Sequence, residues 1–337
     1  MHLHGGWGID VMTASPSELN RLSEHLWESG VDAFCPTTLS APLGDLREAV
    51  TRLGQWITET RSASRRSSSG AAPHLRALPL GIHLEGPFLS PKRAGAHAPS
   101  TLRAVDFEEL RTLLRLSQGT IKLITVASET LSPGDLKRLG RWAQKHSVTL
   151  SLGHTQASEN QALQAFASGF RGITHAWNAM SFHHREGGAL AGAFSTPSPV
   201  FVEVIPDGVH LAPTVARMTL ELFGDRALWV SDCVPAAGLP RGRSTSFGPI
   251  EVLKGADACW VAESGEGGIL AGGDRPLPQT LTRTLPLMIR PQTSSAALRR
   301  ELQKLLRAGT QTPLNYLGVK LPRSHRKKRL TWIFQFD

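Results

Sequence analysis

The 337-residue sequence is poor in cysteine and has no long apolar run. Its only cysteines, Cys35, Cys233 and Cys259, are far apart along the chain. So few thiols, odd in number, exclude a disulfide framework and are typical of a reducing compartment, so we expect a cytoplasmic protein. Because no apolar run could span a bilayer and the first residues lack a secretory signal pattern, we also expect no membrane association.

The formal net charge of +9 lies largely in two basic stretches, at 61–70 and 323–329. Neither stretch contains the interleaved aromatic residues on which nucleic-acid bases stack. We therefore interpret both as solvated surface segments and expect no nucleic-acid partner. A basic protein that binds DNA or RNA remains the alternative hypothesis on net charge alone, and an anionic small molecule is also compatible with this charge.

Short β-rich runs alternate with amphipathic helical runs over most of the chain. The predicted strands are 2–4, 31–36, 79–84, 120–126, 148–152, 172–175, 200–205 and 227–231. The predicted helices between them are 17–29, 43–59, 106–116, 133–146, 157–167 and 213–223. Eight strands joined by helical crossovers favour an α/β fold closed as a (β/α)8 barrel. A doubly wound open sheet is the alternative, but no G-x-G-x-x-G turn follows an early strand.

The alternation stops after Asp232, where residues 238–275 are glycine-rich. This region is interpreted as a loop insertion with a hairpin near 249–253, followed by helices at 280–289, 294–306 and 312–317. Residues 330–336 could form a terminal strand. The sequence thus predicts a catalytic barrel over 1–290 and, over 291–337, C-terminal helices with an atypical basic tail.

Metal-ligating side chains come directly after predicted strands, at Glu85, His154, His175 and Asp232. Carboxyl ends of barrel strands share one face, where the active sites of such barrels lie. His2 and His4 are two residues apart, so an extended segment would point both imidazoles to one side. Imidazole and carboxylate ligands suit a borderline divalent ion such as Zn²⁺ or Fe²⁺.

Several motifs together carry a family resemblance. They are HLHGGWGID at 2–10, GIHLEGPFL at 81–89, GAH at 95–97, GHT at 153–155, THAWNAM at 174–180, PDGVH at 206–210, VSD at 230–232 and LAG at 270–272. In these motifs, their order and their spacing, residues 2–290 resemble the N-acetylglucosamine-6-phosphate deacetylases of the amidohydrolase superfamily. The HLEGP and THxxNAM stretches are the most specific of the set.

The resemblance implies a role for each matching residue. Glu85, His154 and His175 would hold one divalent ion, with His2 and His4 holding a second ion in some members. Asp232 would act as general base and then general acid, and His97 would stabilise the oxyanion. The implied substrate contacts are His97, Asn178, Ala179, Arg185, His210, Leu270, Ala271 and Gly272.

The implied reaction is hydrolysis of the acetamide of N-acetyl-D-glucosamine 6-phosphate, giving D-glucosamine 6-phosphate and acetate, in amino-sugar catabolism or recycling. The enzyme class is a hydrolase of a linear amide C–N bond. Because nothing in the sequence identifies the C4 hydroxyl, an N-acetylgalactosamine-6-phosphate deacetylase or another amidohydrolase is the alternative. The resemblance also implies a homodimer.

The sequence departs from the family pattern at both ends. The small β-sandwich beside the barrel is expected to be largely missing, which leaves a truncated, non-catalytic remnant as a further hypothesis. We expect His2 and His4 to lie on a frayed segment, where a metal geometry is difficult to hold. One ion at Glu85, His154 and His175 is therefore the expectation, and two ions are the alternative.

Overall fold

The computed structural model describes residues 1–67, 76–289 and 294–321, apart from the side chains of 64–67. Part of the 61–70 stretch, the basic tail and the predicted strand at 330–336 lie outside the described residues. In the described part, no helix combines the length and the apolar character needed to cross a bilayer.

The strands form three sheets. Their bounds are β1 His2–Leu3, β2 Gly5–Gly6, β3 Ile9–Asp10, β4 Ala33–Thr38, β5 Leu78–Pro79, β6 Ile82–Glu85, β7 Ile121–Val126, β8 Thr149–Leu152, β9 Phe170–Ile173, β10 Phe201–Val204, β11 Ala227–Trp229, β12 Ser244–Phe247, β13 Ile250–Lys254, β14 Cys259–Val261 and β15 Leu270–Gly272.

Ten helices connect and cover them within the described residues. Their bounds are α1 Pro16–Glu28, α2 Leu43–Ser67, α3 Phe107–Leu116, α4 Pro133–His146, α5 Glu159–Ala167, α6 Gly188–Ser195, α7 Pro213–Phe223, α8 Leu277–Met288, α9 Ser295–Gly309 and α10 Gln311–Leu317. Capping signals in the sequence explain several starts. Ser15 and Glu18 form a reciprocal capping box at α1, and Ser132 caps α4. The sequence prediction lacked α6, whose small residues carry little amphipathic signal.

The main sheet confirms the predicted α/β class. Its strands run parallel in the order β1-β4-β6-β7-β8-β9-β10-β11, with β5 paired to β4 beside this path. Backbone hydrogen bonds also connect the two ends of the order. The His4 amide donates to the Cys233 carbonyl at 2.7 Å, and the Asp232 amide donates to the His2 carbonyl at 3.1 Å. These bonds place the ends of β1 and β11 side by side.

The region 238–275 is more regular than its glycine content indicated. Instead of loops with one hairpin, β12, β13, β14 and β15 form a four-stranded antiparallel sheet. The prediction was wrong because β14 and β15 have only three residues each, too few to show a period of two. The Gly248 amide in the β12–β13 turn donates to the Asp10 carboxylate at 2.9 Å, which ties this sheet to the β3 end.

The last two described helices pack onto the main sheet. The indole of the fully buried Trp229 in β11 donates to the carbonyl of Leu305 in α9 at 2.8 Å. Tyr316 of α10 enters a small apolar cluster with Leu123, Ile205 and Leu228. Its hydroxyl comes so close to Gly172 that a Cβ there would overlap it.

Candidate metal centre

Three of the predicted site residues, two metal ligands and the catalytic aspartate, follow strand ends in an unusual backbone conformation. His154, His175 and Asp232 have φ of 46°, 29° and 50° after β8, β9 and β11. Residues with a side chain rarely adopt positive φ, and such strain concentrates at functional sites. The turns bring all three side chains to one end of the sheet.

One donor set contains Glu85, His154 and His175. The Oε1 atom of Glu85 lies 2.9 Å from Nε2 of His175 and 3.4 Å from Nε2 of His154. The two imidazole nitrogens are 3.1 Å apart. Ligands held tetrahedrally about 2.1 Å from one ion stand about 3.4 Å from each other. The set therefore fits a single divalent ion with little movement.

A second donor set contains His2, His4 and Asp232 with the other oxygen of Glu85. The Nε2 atom of His2 lies 3.1 Å from Glu85 Oε2 and 3.2 Å from Asp232 Oδ1. Nε2 of His4 is 3.0 Å from Glu85 Oε2, and the two imidazole nitrogens are 3.2 Å apart. These distances match a tetrahedral ion as well as the first set does.

The expected fraying of the His2–His4 segment is wrong. His2 is fully buried and His4 nearly so. The segment is held because β1 pairs in parallel with β4 and because His2 and His4 form backbone hydrogen bonds with Asp232 and Cys233 after β11. A two-residue strand gave no periodic signal from which this anchoring could be inferred.

Glu85 is thus shared between the two sets, with one carboxylate oxygen facing each. Burial alone would raise the pKa of Glu85, but the charge interaction with His2 and the close contacts with His154 and His175 lower it well below its usual range. Burial opposes a positive charge on His2, yet Asp232 and Glu85 raise the pKa of His2 well above the ordinary histidine value. Against the same burial penalty, His2 and His4 lower the pKa of Asp232 to about 2.

Backbone carbonyls orient two of the imidazoles. Nδ1 of His4 donates to the Thr37 carbonyl at 3.1 Å, and Nδ1 of His154 donates to the Arg93 carbonyl at 2.8 Å. A carbonyl can only accept, so each Nδ1 carries the proton and each Nε2 presents its lone pair to the donor set.

His97 lies beside the first set and can donate a hydrogen bond. Its Nδ1 accepts from the Ser40 amide at 3.3 Å and lies 2.8 Å from the Ser40 hydroxyl. The proton of the neutral ring is therefore on Nε2, which is 3.8 Å from Glu85 Oε2. Burial holds the pKa of His97 well below its usual range. Glu85, His97 and His154 are close enough to hold an ion together, but the amide bond to Nδ1 makes His97 a donor instead.

The donor residues other than His2 line one cavity. Its wall contains most of the residues predicted to contact substrate, namely His97, Asn178, Ala179, His210, Leu270 and Ala271. Gly272 lies behind that wall, against Asp232. Arg185 is exposed in the loop after Phe182 and is outside the wall. Nδ1 of His210 lies 2.6 Å from the Asp207 carboxylate, which raises the pKa of His210 although burial opposes this.

The cavity wall also contains residues absent from the sequence prediction, among them Leu39, Lys92, Arg93 and Phe247. Lys92 and Arg93 bring positive charge to the cavity. Both lie just before the GAH motif at 95–97, so their position beside this motif could have identified them from the sequence. The Phe247 ring packs 5.0 Å from the ring of His4. The position of Phe247 depends on the four-stranded sheet of 238–275, which the sequence analysis did not predict.

Curated deacetylases are similar to this chain in sequence. The chain is 34% identical over 269 residues to the N-acetylgalactosamine-6-phosphate deacetylase of Escherichia coli O157:H7. It is 35% identical over 260 residues to the N-acetylglucosamine-6-phosphate deacetylase of Bacillus subtilis. The alignments cover 80% and 77% of this chain. This chain belongs to the N-acetylglucosamine-6-phosphate deacetylase family.

A solved structure of the family has the same fold. The N-acetyl-D-glucosamine-6-phosphate deacetylase of Mycobacterium smegmatis, in complex with N-acetyl-D-glucosamine-6-phosphate, superposes with a TM-score of 0.79 at 28% identity. The superposition covers 94% of this chain and 76% of that one. The chain spans 66% and 62% of the lengths of the two deacetylases from E. coli and B. subtilis. No protein-family model matches the chain.

Proposed function

We propose that the protein hydrolyses the acetamide of N-acetyl-D-glucosamine 6-phosphate to D-glucosamine 6-phosphate and acetate. The observation that carries this proposal is the arrangement of residues around the cavity. The two donor sets share Glu85, and both Asp232 and His97 line the same cavity. Family membership supplies the substrate class, and the deacetylases it resembles are named for this chemistry.

Two divalent ions, zinc or iron, fit the donor sets, and the set of Glu85, His154 and His175 is the primary site. A bound ion supplies Lewis acidity to the amide carbonyl and lowers the pKa of a coordinated water to about 7. Both sets combine imidazole nitrogens with carboxylate oxygens at ligand-to-ligand spacing, which is the chemistry such ions prefer.

Asp232 transfers the proton during the reaction, and His97 stabilises the oxyanion. Because its pKa is about 2, Asp232 is an acceptor at neutral pH and takes a proton from the attacking water. It then returns this proton to the departing amine, whose C–N bond breaks. His97 keeps its proton on Nε2 and donates a hydrogen bond to the developing oxyanion, with its ring held by Ser40.

Other residues in and near the cavity wall would hold the sugar phosphate. We assign Asn178, the Ala179 backbone and His210 to the sugar and its phosphate, with Leu270, Ala271 and Gly272 along the substrate. A raised pKa gives His210 a positive charge over a wider pH range, which favours a dianionic partner. Arg185 is assigned to the phosphate by the family pattern, and a homodimer is part of the same proposal.

The scaffold assignments follow from the same reasoning. We infer that the eight parallel strands form a closed (β/α)8 barrel of the amidohydrolase type, supported by the bonds between His4, Asp232 and the opposite strand ends. Residues 1–290 would form the catalytic unit, and 291–337 would add its C-terminal helices and tail. Free, buried Cys35, Cys233 and Cys259 support a cytoplasmic location.

The test is acetate release by purified protein supplied with Zn²⁺ or Fe²⁺. We expect turnover of the glucosamine substrate, and loss of about 10²–10⁴-fold in kcat for Asp232→Asn. Asp225→Asn, an exposed carboxylate on the surface, serves as control. Activity that survives Asp232→Asn would refute the mechanism, and metal binding without acetate release would favour a non-catalytic remnant.

The galactosamine epimer is the second candidate, because the E. coli relative bears that name at 34% identity. Comparing kcat/KM for the two 6-phosphates decides between them.

A further inference from the structure

A third buried carboxylate, Glu203, lies beneath the donor sets. It is in β10, two residues before Ile205, which lines the cavity, so Glu203 points to the same side one pleat deeper. The side chain has no exposed surface. Burying a carboxylate costs free energy unless the group is paired, so we expect Glu203 to have a partner.

The partner of Glu203 is His2. The Oε2 atom of Glu203 lies 3.4 Å from Nδ1 of His2, and Oε1 has no hydrogen-bond partner among the described residues. The neighbouring His83 packs edge-on against the His2 ring with centroids 4.6 Å apart. His83 is engaged elsewhere, because its Nε2 lies 2.7 Å from the Thr125 hydroxyl. Glu203 is therefore the group that faces the inner nitrogen of His2.

The four imidazoles of the donor sets differ in what their Nδ1 atoms meet. His4 and His154 donate to neutral backbone carbonyls, and Nδ1 of His175 has no partner in the part of the chain described. Of these four imidazoles, only that of His2 has its Nδ1 against a carboxylate of the described residues. An ionised carboxylate accepts only, so it fixes the proton on Nδ1 and makes the opposite nitrogen a stronger electron donor.

We propose that Glu203 is a positioning residue for His2 and controls binding of a second divalent ion in the set of His2, His4, Asp232 and Glu85 Oε2. The inference rests on the metal centre of the proposed function. Glu203 holds the ring so that Nε2 faces Glu85 and Asp232, at 3.1 and 3.2 Å. Among the described residues, no carboxylate contacts Nδ1 of His154 or His175, so the primary set does not depend on Glu203.

Charge balance supports the same assignment. When His2 is a neutral ligand, Glu85, Asp232 and Glu203 place three carboxylates in a buried volume, and one divalent ion brings only two positive charges. Buried charge without compensation is strongly unfavourable. A second cation beside His2 offsets the third carboxylate, so Glu203 makes the second set more attractive to an ion than its ligands alone would.

The experiment is a Co²⁺ titration of the chelator-stripped full-length protein, followed by visible absorption and by metal analysis after gel filtration. The variants are Glu203→Leu, which removes the acceptor, and Glu203→Gln, which keeps one accepting oxygen. The matched control is Ser151→Ala, since Ser151 is a buried polar residue of the barrel interior that bonds Thr174 and not His2.

We expect two ions per chain in the wild type and in Ser151→Ala, with different affinities. Glu203→Leu should weaken the second ion by about 10–100-fold and leave the first unchanged, with Glu203→Gln between them. If Glu203→Leu does not fold, Glu203→Gln alone decides, through a weakened second site at an unchanged first site.

Two ions with wild-type affinities in the folded Glu203 variants would overturn the proposal, as would a wild type that takes up one ion only. Because the titration uses no substrate, it is independent of the deacetylase assignment. Protein that binds two ions through Glu203 but releases no acetate supports the positioning role and refutes the proposed function.

Discussion

Gly272 packs directly against the backbone of Asp232. A Cβ at Gly272 would stand 2.5 Å from the Asp232 carbonyl oxygen, and the Gly272 φ of +151° also favours glycine. The next amide, of Gly273, donates to that same carbonyl at 2.8 Å. The antiparallel sheet of 238–275 is thereby attached to the proposed catalytic carboxylate.

Gly272→Ala should therefore reduce turnover by displacing Asp232. A shift of that carboxylate by a fraction of an ångström lowers kcat by about 10–100-fold, and overpacking costs about 1–3 kcal/mol of stability. Acetate release and thermal unfolding measure the two effects. The control is Gly265→Ala, in the connection between β14 and β15, where φ is also positive at +68° but no atom lies within 4 Å of the added methyl. Equal kcat losses in both variants would contradict the role of the Asp232 contact.

Replacing His97 tests the oxyanion donor. His97→Gln should lower kcat by about 10²–10³-fold with a small change in KM, because the lost hydrogen bond acts in the transition state. Ser40→Ala removes one of the two groups that fix the His97 proton on Nε2, so a loss of about tenfold or less is expected. Steady-state kinetics of both variants measure this, and a His97→Gln effect confined to KM would argue for a binding role instead.

The pH dependence of substrate affinity should depend on Asp207. Its carboxylate raises the pKa of His210 despite burial, so His210 is cationic below that raised pKa and neutral above it. KM for the sugar phosphate is expected to rise as pH increases through this value. Asp207→Asn should move the rise to lower pH, toward or below the ordinary histidine value of about 6.5. Histidine NMR titration and KM measured across pH check this, and identical profiles for both proteins would count against it.

Glu85→Gln should abolish binding at both donor sets, since each loses a carboxylate oxygen. In the wild type, Zn²⁺ at about 100 times its Kd stabilises the fold by about 2.7 kcal/mol, and chelation reverses this. The variant should show no rise in Tm with Zn²⁺ and no acetate release. Glu109→Gln is the matched control, because Glu109 is buried and paired with Arg103 at 2.6 Å, away from the cavity. A Zn²⁺-dependent Tm rise in Glu85→Gln would be incompatible with a shared ligand.

Gly172 and Tyr316 should be coupled in stability. An alanine at Gly172 would overlap the Tyr316 hydroxyl, so Gly172→Ala is expected to lose about 1–3 kcal/mol of unfolding free energy. Tyr316→Phe removes the overlapping oxygen and should recover part of this loss. Urea unfolding of both single variants and the double variant gives the coupling energy. Strict additivity would show that the two residues do not meet.

The strand-end rule predicted much of the centre from sequence. Glu85 is the last residue of β6, while His154, His175 and Asp232 follow β8, β9 and β11 within three residues, and all four meet at one end of the sheet. This prediction was feasible because parallel strands align their carboxyl ends regardless of what separates them in sequence.

Other features depend on contacts that no local pattern encodes. The anchoring of His2 comes from the strand end after β11, and the position of Phe247 comes from a sheet of three- to five-residue strands. Glu203 could not be predicted either, because a single acidic residue in a buried strand becomes interpretable only when its partner His2, on a distant strand, is known. In each case the information lies in pairings between distant segments.

The bonds from Ser231 and Asp232 to the His2 carbonyl join residues 229 and 230 positions apart in sequence. Closing so long a loop is among the late and slow steps of folding, because its entropy must be lost before the contact stabilises anything. The second donor set therefore cannot exist in a partly folded chain, whereas Glu85, His154 and His175 lie within 90 positions of each other. Uptake of a second ion during refolding would accordingly report when the end of β1 pairs with the segment that follows β11.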